Sequence, residues 1–297
     1  MTAPTVTQPR PIEGLSEIIG AYRFVISDLW GVLHDGAVAH RPAADCLARL
    51  RGAGMPVVLL SNAPKPSAVV RAHLGRLGID DGLYDALVTS GDLARRFMAS
   101  RAPAEAYFHL GPARDAPTLE GLAQRPVDTP EAADLVLCTG LFEDPEHAAP
   151  ADHDAVLRRA RARDLTLVCA NPDRVVQAGD RLVACAGALA DRYEAMGGAV
   201  AWLGKPQPVA YEACFAAMAH RGEPVPRPDE VLVIGDSLVT DIAGAAAMGF
   251  ASVLVADGIH GEQLLPAAPG PVRLDRIPAH GPQPTAVIGR LRWSGDV

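Results

Sequence analysis

Short apolar, β-branched runs alternate with amphipathic stretches of helical length along most of this chain. That alternation limits the fold more than any other feature. A strand followed by a helix and another strand implies a crossover, and a crossover leaves neighbouring strands parallel. Parallel sheets are covered on both faces, so their strands read as continuous apolar runs. "RFVISD" (23–28), "MPVVLLSNAP" (55–64) and "ALVTSGD" (86–92) have this character. Between the first two lies "RPAADCLARLRGAG" (41–54), an amphipathic helix with Pro42 near its start and Gly54 as its stop. "KPSAVVRAHLGRLGI" (65–79) is a second helix. The order is βαβαβ, which predicts an α/β protein with a doubly wound, Rossmann-like parallel sheet.

A middle block repeats the pattern more loosely. It holds "AYFHLGP" (106–112), "ADLVLCTG" (133–140) with the turn "TGLFED", a helix near 150–163, and "LTLVCANPD" (165–173). Then come a helix near 185–197, "AVAWLGKP" (199–206), a helix over 208–221, "EVLVIGDS" (230–237), a helix over 240–248 and "ASVLVADG" (251–258). Residues 1–12 read as a loose arm. From 264 onward the chain is rich in Pro and Gly and reads as a peripheral tail ending in a weak helix.

Composition narrows the function. The 297 residues are 49% hydrophobic and 21% charged, which supports a sizeable core. A formal net charge of -8 argues against a nucleic-acid or anionic-membrane surface. No apolar run is long enough to span a bilayer, and the first residues lack the order of a secretory signal. Cys46, Cys138, Cys169, Cys185 and Cys214 are scattered without a CxxC pair and read as small buried hydrophobes in a reducing cytosol. A soluble cytoplasmic protein is expected.

In an open parallel sheet, ligands gather outside the carboxyl ends of the strands. The first strand ends at Asp28 and the second at Ser61–Asn62. Lys205 follows the strand in "WLGKP", and "VIGDSLVTD" places Asp236 after a fourth strand with Asp241 about one turn beyond. Each residue alone suits a cap or a turn. Together they suit phosphoryl transfer. A carboxylate can attack phosphorus, a hard cation on oxygen ligands can offset the charge, and a hydroxyl and an ammonium can hold the phosphoryl oxygens.

At these residues the sequence resembles the haloacid dehalogenase superfamily, most nearly its class IIA, NagD-like hydrolases. The stretches that carry the resemblance are "DLWGVLHDG", "LLSNAP", "TSGDLA", "ANPD", "GALADRYEAMGG", "GKPQPVAYEAC" and "VIGDSLVTDIAGAAAMG". It implies a hydrolase core over 1–89 and 185–297 and an inserted α/β cap over 90–184 that selects the substrate. It also implies Asp28 as nucleophile, with Asp28, Asp236 and the backbone carbonyl of Trp30 as ligands of Mg²⁺. Ser61 and Lys205 hold the phosphoryl group, and Asp241 orients a metal-bound water or Lys205. Asn62, Asn171, Asp173 and Arg174 are expected at the substrate, with Arg181 as a further cation in the cap stretch 171–187. The partner expected is a small phosphorylated metabolite. Class IIA proteins can pair through their caps, so a homo-oligomer stays open.

The chain departs from that family at one position. Two residues beyond the nucleophile the family carries a second Asp, which protonates the leaving group; here it is Trp30. Indole donates a hydrogen bond but does not titrate near neutral pH. The reading then divides three ways. His34 or Asp35 on the flap 31–36 replaces the acid, or turnover is slow and confined to good leaving groups. In the third, the chain is a phosphate-ligand binder or regulatory protein with little catalysis.

Overall fold

The structure is a computed structural model that describes residues 9–142, 148–178, 181–268 and 270–294. In chain order, β1 (Arg10–Ile12), β2 (Phe24–Ser27), α1 (Arg41–Gly52), β3 (Val57–Ser61), α2 (Ser67–Arg76) and β4 (Ala86–Thr89) come first. The middle of the chain forms α3 (Ser90–Ala99), β5 (Ala106–Leu110), α4 (Ala116–Leu119), β6 (Arg125–Val127), β7 (Leu135–Cys138), α5 (Asp154–Ala162) and β8 (Thr166–Cys169). There follow β9 (Val175–Ala178), β10 (Arg181–Ala184), α6 (Ala186–Ala195), β11 (Val200–Trp202) and α7 (Pro208–Ala219). Last come β12 (Val231–Gly235), α8 (Ala243–Met248), β13 (Ala251–Val255), α9 (Gly261–Leu264) and β14 (Ala286–Ile288).

These elements form two compact units. The first comprises Met1–Leu60, Gly75–Leu87 and Cys214–Val297, and the second Ser61–Leu74 and Val88–Ala213. The first is built on a seven-stranded sheet in the order β1-β14-β13-β12-β2-β3-β4. The pairs from β1 through β3 run parallel. β2, β3 and β12 are buried along their whole length, as a sheet covered on both faces requires. From β2 the chain winds outward through β3 and β4, and from β12 it winds the other way through β13 and β14. The sheet therefore reverses between β2 and β12, a topological switch point of the kind that places ligands in α/β folds.

The second unit has its own five-stranded sheet, β11-β8-β7-β5-β6, with an antiparallel hairpin of β9 and β10. All its sheet pairs are parallel. Leu157, Leu167, Leu189 and Tyr193 centre its core. The buried Tyr193 hydroxyl donates to the Leu165 carbonyl at 2.6 Å. The doubly wound α/β class expected from the alternating pattern is the class observed.

Several local expectations change. Residues 1–8 of the expected arm lie outside the described residues, but Arg10–Ile12 is a strand paired to β14. Among the described residues the tail shows no helix after Ala286: Ala286–Ile288 enters the sheet between β13 and β1 and is fully buried. The apolar residues after Pro284 are too few for a helical face. The open edge of β13 supplies backbone partners that a solvent-exposed turn would lack. The helix over 240–248 begins as a π-turn, Leu238–Ile242, in which both Asp241 and Ile242 N–H groups reach the Ser237 carbonyl. The residues Glu143–Asp144 of "TGLFED" and Gly179–Asp180 of 171–187 lie outside the described residues. No helix among the described residues is long and apolar enough to cross a membrane.

All five cysteines are free and buried. Burial pushes up the thiols of Cys46, Cys138, Cys169 and Cys185, to about 12 for Cys46 and Cys169. If β14 belongs to the core, Ile288→Ala should cost about 2–5 kcal/mol in urea unfolding. A neutral result would return this segment to the periphery.

Candidate active site

The switch point brings two strand ends together. β2 and β12 pair with Ser27 opposite Ile234, and the Asp28 N–H donates to the Ile234 carbonyl at 2.8 Å. Asp28 thus leaves the sheet beside Gly235, and Asp236 is the next residue on the neighbouring strand. The π-turn after β12 carries Asp241 back to the same place. A carboxylate oxygen from each of Asp28, Asp236 and Asp241 lies within 4.8 Å of the others, and the residues are only 8%, 7% and 1% exposed.

Backbone donors hold this group. Ile259 N–H donates to Asp236 Oδ2 at 2.9 Å, and Ser237 N–H to Asp241 Oδ2 at 3.2 Å. Gly31 (φ +75°) passes so close that a Cβ there would lie 2.0 Å from Asp236 Oδ2. No side chain fits at that position, so the loop after Trp30 closes against the acid. Like charges buried this close disfavour one another, and a cation on oxygen ligands resolves the conflict. The donor set is all hard oxygen, which fits Mg²⁺ rather than a thiolate- or imidazole-seeking metal.

The flap starts at Trp30. Its ring lies against Gly36 and meets His34 edge-on, with centroids 5.4 Å apart. His34 is buried, and its Nδ1 accepts the Gly36 N–H at 2.9 Å, which leaves the ring proton on Nε2. Asp35 is exposed, and its Oδ1 accepts from Val38 and Ala37 N–H groups at 2.8 and 2.9 Å. Those bonds, Val38 first, hold its carboxyl below the usual carboxylate range. Asp35 therefore stays ionised at neutral pH and has no proton to give.

Over most of its length the chain is similar to a haloacid dehalogenase-like hydrolase from Brucella suis. Identity is 35%, coverage 94% of this chain and 98% of that one, and the TM-score 0.82. The chain belongs to the haloacid dehalogenase-like hydrolases. Two family models agree: a haloacid dehalogenase-like hydrolase model matches residues 25–123, and a HAD-hydrolase-like model matches 202–280. Cattle chronophin is 28% identical over 258 residues, 82% of this chain and 84% of its own. A glycerol phosphate phosphatase from Mycobacterium tuberculosis, solved in complex with magnesium, shares the fold at 24% identity. It covers 92% of this chain and 76% of its own, with a TM-score of 0.63.

In the second unit of this hydrolase a further polar group centres on Asn62. Ser61, the last residue of β3, is buried, and its Oγ accepts the Ala63 N–H at 3.1 Å. The Asn62 amide has its donors and acceptors engaged by protein. Its Nδ2 donates to Asp173 Oδ1 at 2.9 Å and to the Lys205 carbonyl at 3.1 Å. Its Oδ1 accepts the Lys205 N–H at 2.8 Å and the Ser90 hydroxyl at 3.3 Å. Asn62 is therefore a brace on the main chain of Lys205, which is 2% exposed. Asn171 shapes the same place, its Oδ1 accepting the Asp173 N–H at 3.1 Å. Ser90 opens α3, directly after its N-cap Thr89, and was read in the sequence only as part of a strand entering a helix.

Arg174 is tied down. Its Nε and Nη2 fork Asp191 at 3.0 and 2.8 Å, its Nη1 donates to the Pro172 carbonyl, and its guanidinium lies over Trp202. Arg181 opens β10 and is exposed. Removing the Asn62 amide leaves a buried N–H and a carbonyl unsatisfied. Asn62→Ala should therefore destabilise the hydrolase by about 1–3 kcal/mol. Asn62→Asp should cost more, because it sets a carboxylate against Asp173. Paired urea titrations check both the size and the order.

Proposed function

We propose that the chain is a Mg²⁺-dependent phosphoric monoester hydrolase that acts on a small phosphorylated metabolite through an aspartyl phosphate on Asp28. The observation that carries this is the buried trio of carboxylates at the switch point, with Asp28 on the central strand. Asp28 attacks phosphorus; the bond to the leaving oxygen breaks and the leaving group departs with the electron pair as its oxyanion, taking a proton afterwards from solvent. Water then attacks the acyl phosphate, the bond to Asp28 breaks, and inorganic phosphate leaves with the carboxylate restored. Asp28, Asp236 and the Trp30 carbonyl are the residues assigned to the ion, with Asp241 behind them. Bound there, the ion neutralises the charge that otherwise keeps phosphate from a carboxylate.

Ser61 and Lys205 take the phosphoryl oxygens in this reading, on the strength of their motifs. Asn62 serves them by fixing the Lys205 main chain. Asp173 and Asn171 shape the loop that meets the substrate. Arg174 contributes through its fork on Asp191, which stiffens the segment entering β9. Substrate selection is assigned to residues 90–184.

Trp30 sets the kind of ester. Asp35 is held ionised, and the family's acid is replaced by indole. The reaction therefore favours leaving groups that depart without a proton, such as aryl or acyl phosphates. General acid catalysis is typically worth about 10²–10⁴-fold, so alkyl phosphates should lag by that order. His34, with its ring proton on Nε2, is the remaining titratable side chain of the flap.

A panel of phosphate esters spanning p-nitrophenol to sugar hydroxyls tests the reading. Asp28→Asn should abolish turnover of every ester while the melting temperature holds, and chelation of divalent metal should do the same. Activity that survives in Asp28→Asn refutes the covalent route. Trp30→Asp restores an acid, and alkyl phosphates should gain about 10²–10⁴-fold in kcat/KM while aryl esters change little. Equal gains on both classes would show that the indole does not decide the leaving group.

A further inference from the structure

The π-turn that carries Asp241 begins with an unusual cap. The first N–H groups of a helical turn have no acceptor within it, and a side chain at the preceding residue often supplies one. Ser237 occupies that preceding position but makes no capping bond. Instead the Leu238 N–H donates to Nε2 of His260, 22 residues further along the chain, at 3.2 Å. Since Nε2 accepts, the ring proton sits on Nδ1. His260 is half-buried at the start of α9, and its carbonyl accepts the Gln263 and Leu264 N–H groups. The ring is thus tied to the π-turn while α9 anchors the His260 main chain.

The same short loop also grips the neighbouring acid. Ile259 N–H donates to Asp236 Oδ2 at 2.9 Å. A Cβ at Gly258 would lie 2.2 Å from that same oxygen, so the loop backbone presses on Asp236. Residues 258–260 therefore fix Asp236 directly, and through Leu238 they fix the turn that returns Asp241 to Ser237 N–H. Neither His260 nor this loop belongs to the nucleophile, phosphate or carboxylate motifs read from the sequence.

We propose that His260 is a positioning residue for the metal centre, and that its bond to Leu238 sets how tightly Asp236 and Asp241 hold a hard divalent cation. The proposal rests on the metal reading above. Groups that orient metal ligands from behind typically change affinity about 10–100-fold when removed. Gln at this position can keep an acceptor for the Leu238 N–H. Met fills comparable space with only a weak acceptor.

The test measures Mn²⁺ binding to the full chain by the electron paramagnetic resonance signal of free Mn²⁺, with no substrate present. Melting curves accompany each variant. His260→Ala should raise the Mn²⁺ Kd at least about tenfold. His260→Gln should stay near wild type and His260→Met should follow Ala. The Gln and Met pair keeps the comparison if the Ala variant does not fold. Equal Kd values for Gln and Met, or a folded His260→Ala with wild-type affinity, overturn the role of His260 and leave the metal reading standing. A wild-type chain that binds no Mn²⁺ overturns the metal reading and this inference with it.

Discussion

Three buried carboxylates that repel one another are the constraint on which the first unit turns. Separating them into water would be the cheap arrangement, since burying like charges together is costly. The chain instead brings them within 4.8 Å and fixes Asp236 and Asp241 with backbone donors. The parallel register of β2 and β12 delivers Asp28 and Asp236 side by side, and the π-turn adds Asp241. Each donor aimed at these oxygens is a partial positive charge that cannot reorganise away. Preorganised polarity of this kind offsets part of the charge that the clustered carboxylates bring together.

The second unit solves a different problem, how to present an ammonium that is almost fully covered. A lysine stem has many rotamers to lose. Here the Lys205 backbone is fastened at both its N–H and its carbonyl by one amide, Asn62. That amide is itself aligned by Ser90 and Asp173. Four bonds converge on a side chain of four polar positions, so its orientation is fully determined. Arg174 is restrained in the same spirit by a carboxylate fork and an indole face.

The alternating pattern made the α/β class legible because parallel strands carry their own signature, continuous burial. Asp28 and Asp236 were legible because strand ends are where a doubly wound sheet exposes chemistry, and Asp241 because it follows within a turn. What escaped notice acts across long separations. Asn62 looks like a ligand in sequence, and nothing local says that its amide is consumed by residues 173 and 205. His260 sits in an unremarkable "DGIHG", and its partner lies 22 residues upstream. β14 was read as tail because three apolar residues carry little periodicity; the open edge of β13 decides its state. Asp35 and His34 looked equivalent as acids until backbone donors separated them.

The central pair β2–β12 joins Phe24 to Val231, and the edge pair β1–β14 joins Arg10 to Ala286. These contacts shape how the molecule is made. A ribosome adding residues at about 5–20 per second finishes β2 many seconds before β12 exists. Throughout that interval β2 offers an unpaired, largely apolar edge on the side where its neighbour will dock. The intervening residues include a five-stranded sheet whose pairs are all local to the second unit, and that sheet can mature while the first unit waits. The nascent chain thus carries a finished insertion inside an unfinished host, and its exposed strand is a ready target for chaperones. The trio of carboxylates, built across the last central pairing, is among the latest features to form.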